Sequence, residues 1–138
     1  MIVVDTNIIG YLYLSSERSG QAEQALLKDA EWVAPILWKS ELRNVLAQYL
    51  RRGILSFADV VHIMDEATGL MDGREYEVTS MEVFELVRES KCSAYDCEFV
   101  ALARNLKAPL VTVDKQILHE FPTIAISLDE FTGSKSGR

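Results

Sequence analysis

The chain has 138 residues, of which 49% are hydrophobic and 25% are charged, and its formal net charge is -7. This length predicts one domain that buries its own core, and the composition is typical of a globular rather than a disordered protein. The acidic balance argues against broad binding to nucleic acid through a basic surface, unless clustered acids hold divalent cations that reverse the local field.

Two cysteines, Cys92 and Cys97, are too few to indicate a disulfide framework. We therefore expect a reducing location, the cytoplasm. The N-terminus lacks the basic region and the long apolar run of a signal peptide. No apolar stretch reaches the roughly 18 residues that indicate a membrane span, so no membrane association is expected. His62 and His119 are isolated, and no Cys or His pair predicts a zinc site.

Short apolar runs alternate with amphipathic segments along the chain. The apolar runs predict five strands, at residues 1–4, 31–35, 76–78, 109–113 and 123–126. Helical spacing predicts helices at residues 7–14, 21–29, 36–52, 57–70, from Thr79 or Ser80 onward, 93–106 and 115–119. This alternation predicts an α/β fold with a parallel sheet covered by helices on both faces. We predict a single domain at residues 1–132 and a polar, disordered tail at residues 133–138.

Two acids directly follow predicted strands, Asp5 after the first and Asp114 after the fourth. Ligands of open parallel sheets bind at the carboxyl ends of the strands, so both acids lie where chemistry is usually done. The alternative is that each acid caps the helix that follows it. A third acid, Asp96, occupies the third position of a helix that Ser93 caps. The helix N-terminus keeps that carboxylate ionised, as a metal ligand must be.

A fourth acid, Glu41, lies at the border of the apolar stripe of the third predicted helix, near Trp38 and Val45. A solvated glutamate would more often lie opposite that stripe. The alternative is a residue at the rim of the core that pairs with Lys39 or Arg43.

Together the four acids offer only oxygen ligands, which suit the hard cations Mg²⁺ and Mn²⁺. Such ions can activate water and stabilise the leaving oxygen of a phosphodiester. Four clustered carboxylates without a cation would repel one another, so the cluster itself indicates a counter-ion. The chemistry that this pattern favours is metal-dependent hydrolysis of a phosphodiester.

Four short segments carry these acids in an order and at a spacing that match a known family. They are Asp5-Thr6-Asn7, residues 40–46 around Glu41, Tyr95-Asp96, and residues 111–114 ending in Asp114. Together they resemble the PIN-domain nucleases, and in particular the VapC-type toxins of bacteria and archaea. The likeness spans nearly the whole chain, and the total length agrees with it.

The resemblance implies a five-stranded parallel sheet flanked by helices, and Mg²⁺- or Mn²⁺-dependent cleavage of RNA by a metal-activated water. Thr6 beside Asp5 and Thr112 near Asp114 would then be supporting hydroxyls. The catalytic acids carried over are Asp5, Glu41, Asp96 and Asp114, of which Asp5, Asp96 and Asp114 would be metal ligands.

The same resemblance implies a cognate VapB-type antitoxin and a homodimer or higher homo-oligomer. Many relatives carry a further acid or Asn shortly after the last Asp, whereas Lys115 and Gln116 follow Asp114 here. This departure leaves the number of metal ions open. Lys39, Arg43 and Lys115 are candidate phosphate contacts, and the alternative for each is a solvated surface charge.

Three other functions stay open from the sequence. A PIN-fold nuclease could act on DNA or process RNA outside a toxin system. A non-catalytic PIN-fold binding module would be expected to have lost some of the acids, and all four are present. An aspartyl-phosphate phosphotransfer domain would need an acceptor Asp on a central mid-chain strand, or a second Asp at position 7, which is Asn.

Overall fold

Five parallel strands form the centre of the fold in a computed structural model that describes residues 1–133. The strands are β1 (Ile2–Val4), β2 (Trp32–Pro35), β3 (Glu75–Tyr76), β4 (Leu110–Thr112) and β5 (Ala125–Ser127). They lie in the order β3-β2-β1-β4-β5, and each neighbouring pair is parallel. The strand order reverses between β1 and β4, which is where open α/β sheets place their ligands. The predicted five-stranded parallel sheet is confirmed.

Eight helices connect and cover the strands within the described residues. They are α1 (Thr6–Tyr13), α2 (Ser19–Lys28), α3 (Leu37–Arg51), α4 (Phe57–Met71), α5 (Ser80–Glu89), α6 (Ala94–Leu106), α7 (Lys115–Glu120) and α8 (Leu128–Thr132). The chain moves outward from β1 to β3 and then returns to β4, so right-handed crossovers place the connecting helices on opposite faces. α1, α3 and α4 pack together on one face, and α5 packs on α6 on the other.

The strands are buried on both faces, which is why they consist of apolar runs rather than alternating patterns. Val3 and Val4 of β1 and Val111 of β4 have no exposed surface. α6 packs against β1, β2 and β4, and its apolar face includes the buried ring of Phe99. These contacts fix the start of α6, and therefore Asp96, relative to the central strands.

Three elements differ most from the sequence prediction, and one of them is β5, which is Ala125–Ser127 rather than residues 123–126. α8 was not predicted, because its five residues are too few for an apolar repeat, although the Ser127 hydroxyl accepts from the Glu130 N–H at 3.1 Å and caps it. β3 is Glu75–Tyr76 rather than residues 76–78. Within it, Glu75 accepts from the Trp38 indole at 2.8 Å, a contact that spacing along the chain does not show.

Two further predictions concern the tail and the cysteines. Gly133 ends α8 with φ 78, and the rest of the predicted tail, residues 134–138, lies outside the described residues. The domain limits stay a prediction. Cys92 and Cys97 are free and buried, and burial raises the pKa of the Cys92 thiol to about 11. No helix in residues 1–133 is long and apolar enough to cross a membrane.

Replacing Phe99 by alanine should destabilise the protein by about 3–5 kcal/mol, because it leaves a cavity between α6 and the sheet. Phe84→Ala is the matched control, since the Phe84 ring is 65% exposed and its loss should change the free energy of unfolding by about 0.5 kcal/mol or less. Urea denaturation of both variants measures the difference. Equal losses would show that α6 does not anchor the core.

Candidate active site

Asp5 and Asp114 lie side by side because the strands that precede them are neighbours. The Asp5 N–H donates to the carbonyl of Val111 at 3.1 Å, which continues the β1–β4 ladder to the strand tips. The hydroxyl of Thr112, which is fully buried, donates to Asp5 Oδ2 at 2.7 Å and accepts from the Asp114 N–H at 3.0 Å. One buried hydroxyl therefore links the two acids.

Both strand-tip acids also cap helices, so the capping alternative is confirmed for each. Asp5 Oδ1 accepts from the N–H of Thr6 at 2.8 Å and caps α1. Asp114 Oδ1 accepts from the N–H groups of Gln116 and Ile117 at 2.9 and 3.0 Å and caps α7. Capping does not exclude a further role, since these bonds leave Asp114 Oδ2 without a hydrogen bond to any residue described.

Glu41 is held toward Asp5 rather than toward the surface of α3. The Thr6 hydroxyl, which is buried, donates to Glu41 Oε1 at 2.6 Å. Within residues 1–133, Glu41 forms no ion pair with Lys39 or Arg43, so the alternative of a paired rim residue does not hold. Each of two acids thus receives one threonine hydroxyl, Glu41 from Thr6 and Asp5 from Thr112.

Asp96 completes the group from the opposite face of the sheet. It lies in the first turn of α6, where its N–H donates to the Ser93 hydroxyl at 3.1 Å. Burial, together with the negative charge of Asp114, raises the pKa of Asp96. The fold therefore brings the start of α6 within electrostatic reach of the end of β4.

The pKa values show that the predicted acids repel one another. Burial raises the pKa of Asp5 to about 6, and the charges of Glu41 and Asp96 add to this, against the hydrogen bonds from Thr112 and Thr6. Burial and the charge of Asp96 likewise raise the pKa of Glu41. Within the described part of the chain, none of these acids has a basic ion-pair partner. Such a site favours a cation or a proton.

Glu98 is a further acid near this group that the sequence did not single out. Burial raises its pKa, and the charge of Glu41 contributes to the shift. Glu98 is two residues beyond Asp96 on α6, a spacing that separates side chains by about 200° around a helix and gives no sequence signal. Only the packing of helices on the sheet shows that it faces Glu41.

The candidate phosphate contacts are less closely grouped than the acids. Lys115 is exposed and directly follows Asp114 at the start of α7, and Lys39 is half-buried on α3. Arg43 borders a groove between α3 and α4 with Val61 and Met64. Because it is two residues from Glu41 on a helix, it projects to a different side, and the structure does not bring it to the acids.

Residues 2–122 match the family model of the PIN domain. The chain belongs to the PIN domain family. It is 30% identical over 126 residues to "Ribonuclease VapC3" of Pyrobaculum aerophilum, an alignment that covers 89% of this chain and 96% of that protein. Membership of this family excludes the alternative of an aspartyl-phosphate phosphotransfer domain.

A solved structure supports the fold independently. The crystal structure of PAE2754 from Pyrobaculum aerophilum superposes with a TM-score of 0.76 at 18% identity, over 96% of this chain and 93% of that one. At this identity the likeness concerns the fold alone. This chain therefore shares its overall fold with a solved structure.

Replacing Asp5 by asparagine should stabilise the metal-free protein at neutral pH. Because the pKa of Asp5 is higher in the folded state than in the unfolded state, ionisation of Asp5 destabilises the folded protein. The wild type therefore keeps its full stability below about pH 4 and loses part of it as the pH rises through about 6. Asparagine keeps the helix cap but does not ionise. Between pH 4 and pH 7 in EDTA, the variant should gain up to about 3 kcal/mol relative to the wild type in urea denaturation.

Asp29→Asn is a control of opposite sign. The N-terminal ammonium donates to Asp29 at 2.8 Å, and this hydrogen bond lowers the pKa of Asp29. The stability from Asp29 is therefore present above its unfolded-state pKa and lost as pH falls. This variant should lose stability relative to the wild type as pH rises from 3 to 7. The same pH trend in both variants would contradict the repulsion at Asp5.

Proposed function

We propose that this protein is a divalent-metal-dependent endoribonuclease, the toxin component of a VapBC-type toxin–antitoxin system that acts in the cytoplasm. The observation that carries the proposal is the meeting of Asp5 and Asp114 at the reversal of strand order, with Thr112 bonded to both. Family membership and the similarity to a protein named as a VapC ribonuclease support the same reaction.

The residues divide the work in this proposal. Asp5, Asp96 and Asp114 would hold a Mg²⁺ or Mn²⁺ ion, and Glu41 would orient or deprotonate the attacking water. Thr6 and Thr112 would keep Glu41 and Asp5 in fixed orientations through their 2.6 and 2.7 Å hydrogen bonds. When bound, a divalent cation supplies the Lewis acidity and the charge neutralisation that phosphodiester hydrolysis needs.

The donor set fits such an ion chemically, because every candidate ligand is a hard oxygen. As the side chains lie, no three Asp, Glu, His or Cys residues among positions 1–133 converge closely enough to enclose a metal. Binding would therefore require carboxylates to turn toward one another. The raised pKa values of Asp5, Glu41 and Asp96 provide the driving force, since a cation would relieve their mutual repulsion.

Metal binding and cleavage should both depend on Asp5. At free Mn²⁺ about a hundredfold above its dissociation constant, the wild type should gain roughly 2.7 kcal/mol, which is on the order of 10 °C in melting temperature. Asp5→Asn should gain much less and should lose cleavage of single-stranded RNA. Glu23→Gln, at an exposed position on α2, is the control and should behave as the wild type, because it removes a carboxylate charge outside the candidate site.

Full RNA cleavage in excess EDTA would contradict the metal-dependent reaction. In the proposed reaction water attacks the phosphorus and the 3′-oxygen of the preceding nucleotide leaves, so the expected products carry a 5′-phosphate and a 3′-hydroxyl. A 2′,3′-cyclic phosphate would instead mean attack by the 2′-hydroxyl of the RNA. A DNA oligonucleotide of the same sequence should stay intact, and its cleavage at an equal rate would favour the alternative of a nuclease that accepts DNA.

We also propose a homodimer that joins through the surface formed by α4 and the end of α3. On this surface Phe57 is 72% exposed, Ile54 59% and Val61 43%. Apolar side chains that cluster on a small domain mark an interaction site rather than a solvated surface. A small VapB-type antitoxin is the second partner that the similarity to VapC3 supports.

Val61→Glu should convert the dimer to a monomer, because it places a charge within the proposed apolar interface. Leu27→Glu on α2 is the control, since Leu27 is 88% exposed and lies outside this surface. Light scattering at micromolar concentration measures the mass of each protein. A monomeric wild type, or a dimer in the Val61→Glu variant, would contradict the proposed interface.

A further inference from the structure

A cavity of about 120 Å³ lies between α1 and α3, directly beside the candidate active site. It shares Thr6 with that site, and the Thr6 hydroxyl is the group that holds Glu41 at 2.6 Å. A ligand in the cavity would therefore be a close neighbour of a phosphodiester held at the acids. The proposed reaction does not use this cavity, and the acids do not line it.

The lining of the cavity combines apolar walls with polar groups that have no protein partner. Gly10 and Leu42 contribute apolar surface from the two helices, and Tyr11 and Tyr49 contribute aromatic rings. The Asn7 side chain and the two tyrosine hydroxyls form no hydrogen bond with other residues in the described part of the chain. A ligand that is a flat apolar ring with polar edges would pack against the apolar walls and form hydrogen bonds with these polar groups.

Tyr11 connects the cavity with the charges around it. Burial raises the pKa of its hydroxyl, the negative charge of Asp5 adds to this, and the positive charge of Arg18 opposes it. The ring therefore lies within electrostatic reach of both an active-site acid and a cation.

The volume limits the size of the ring. An engineered cavity of about 150 Å³ binds benzene. This cavity has a smaller volume, but it opens to solvent on one side, so it can hold one six-membered ring that extends partly into the opening. A purine has two fused rings. Proteins that read single-stranded RNA commonly hold unstacked bases against aromatic side chains and bond their edges.

We propose that this cavity binds one pyrimidine base of the RNA, adjacent to the scissile phosphate, and so contributes to the choice of cleavage site. The inference rests on the proposed ribonuclease function. The Tyr11 ring packs against the base. The Asn7 side-chain amide, which both donates and accepts hydrogen bonds, forms hydrogen bonds with the polar edge of the base. The walls contributed by Gly10 and Leu42 limit the size of the base.

Gly10→Val tests the proposal by filling the cavity. A Cβ at Gly10 would lie 3.9 Å from the side chains of Leu14 and Leu42, so the added methyl groups enter the cavity with limited strain. Gly69→Val on α4 is the matched control, because a Cβ there meets nothing within 4 Å and the variant makes the same change in helix propensity, in which valine is slightly more favourable than glycine.

The substrates are short single-stranded RNAs with one cleavage site, in which each nucleotide around the scissile bond is in turn uridine, adenosine or an abasic ribose. At one position, the abasic and adenosine substitutions should lower kcat/KM about 5- to 100-fold in the wild type and in Gly69→Val, the range expected for stacking of one base. In Gly10→Val the same substitutions should change kcat/KM less than about twofold, because the base no longer has a site.

A binding measurement in Mn²⁺, on an RNA whose scissile phosphodiester is replaced by a methylene phosphonate that cannot be hydrolysed, separates this inference from the proposed cleavage. The probe base at that position is the fluorescent single-ring pyrimidine 5-methylpyrimidin-2-one, whose emission falls when it stacks. Quenching should occur with the wild type and with Tyr13→Ala, and it should be lost with Tyr11→Ala. The Tyr11→Ala variant also replaces Gly10→Val as the test of the cavity if Gly10→Val does not fold. Tyr13 is a fair control because its hydroxyl donates to the Glu66 carbonyl, away from the cavity.

Three results would overturn the proposal. The first is equal sensitivity to the abasic substitution in the wild type and Gly10→Val, or no sensitivity at any position. The second is equal cleavage with adenosine and uridine, which would exclude selection by ring size. The third is quenching by Tyr11→Ala at the wild-type level. Loss of metal-dependent cleavage with quenching retained would instead refute the ribonuclease proposal and leave the cavity as a base-binding site.

Discussion

Burial of several carboxylates close to one another is the constraint on which this structure depends, because the loss of hydration and, to a smaller degree, their mutual repulsion both oppose ionisation. Asp5, Glu41 and Asp96 all have raised pKa values, and each feels the charge of another acid in the group. A domain of this size would be more stable without such a cluster, since functional sites commonly cost stability. The fold holds the acids together nevertheless, because each is fixed by the backbone of an element that the core requires.

The hydrogen bonds around the acids show how that constraint is met. Two buried threonines, Thr6 and Thr112, donate to Glu41 and Asp5, and helix N-termini stabilise the carboxylates of Asp5 and Asp114. These contacts oppose the repulsion in part, and a divalent cation would complete the balance. The same interactions that cap α1 and α7 therefore also orient the proposed metal ligands, so a structural role and a proposed catalytic role coincide in each of these two residues.

Placing the acids at the reversal of strand order also decides what can surround them. α1 begins at the tip of β1 and passes α3, and the gap between these helices is the cavity that begins at Thr6. The family fold fixes the position of the chemistry, while side chains such as Tyr11 and Asn7, which line the neighbouring space, can vary without disturbing the sheet.

The sequence by itself determined that strands alternate with helices along the chain. It also located three of the four acids, because each of these follows a strand or lies in the first turn of a helix. Asp5, Asp114 and Asp96 could be located because strand tips and helix first turns leave local signals. Glu41 was located by a different signal, its position on the border of an apolar stripe. These features depend on residues close in the chain, and local backbone preferences and periodicity are enough to reveal them.

Only the tertiary structure decided which groups meet. The bonds of Thr6 to Glu41 and of Thr112 to Asp5 join residues 35 and 107 positions apart, and the approach of Glu98 to Glu41 needs α3 and α6 to pack against β2 from opposite faces of the sheet. The cavity between α1 and α3 likewise arises from two surfaces that do not pack completely. Contacts of this kind follow from strand order and helix packing, which no local pattern encodes.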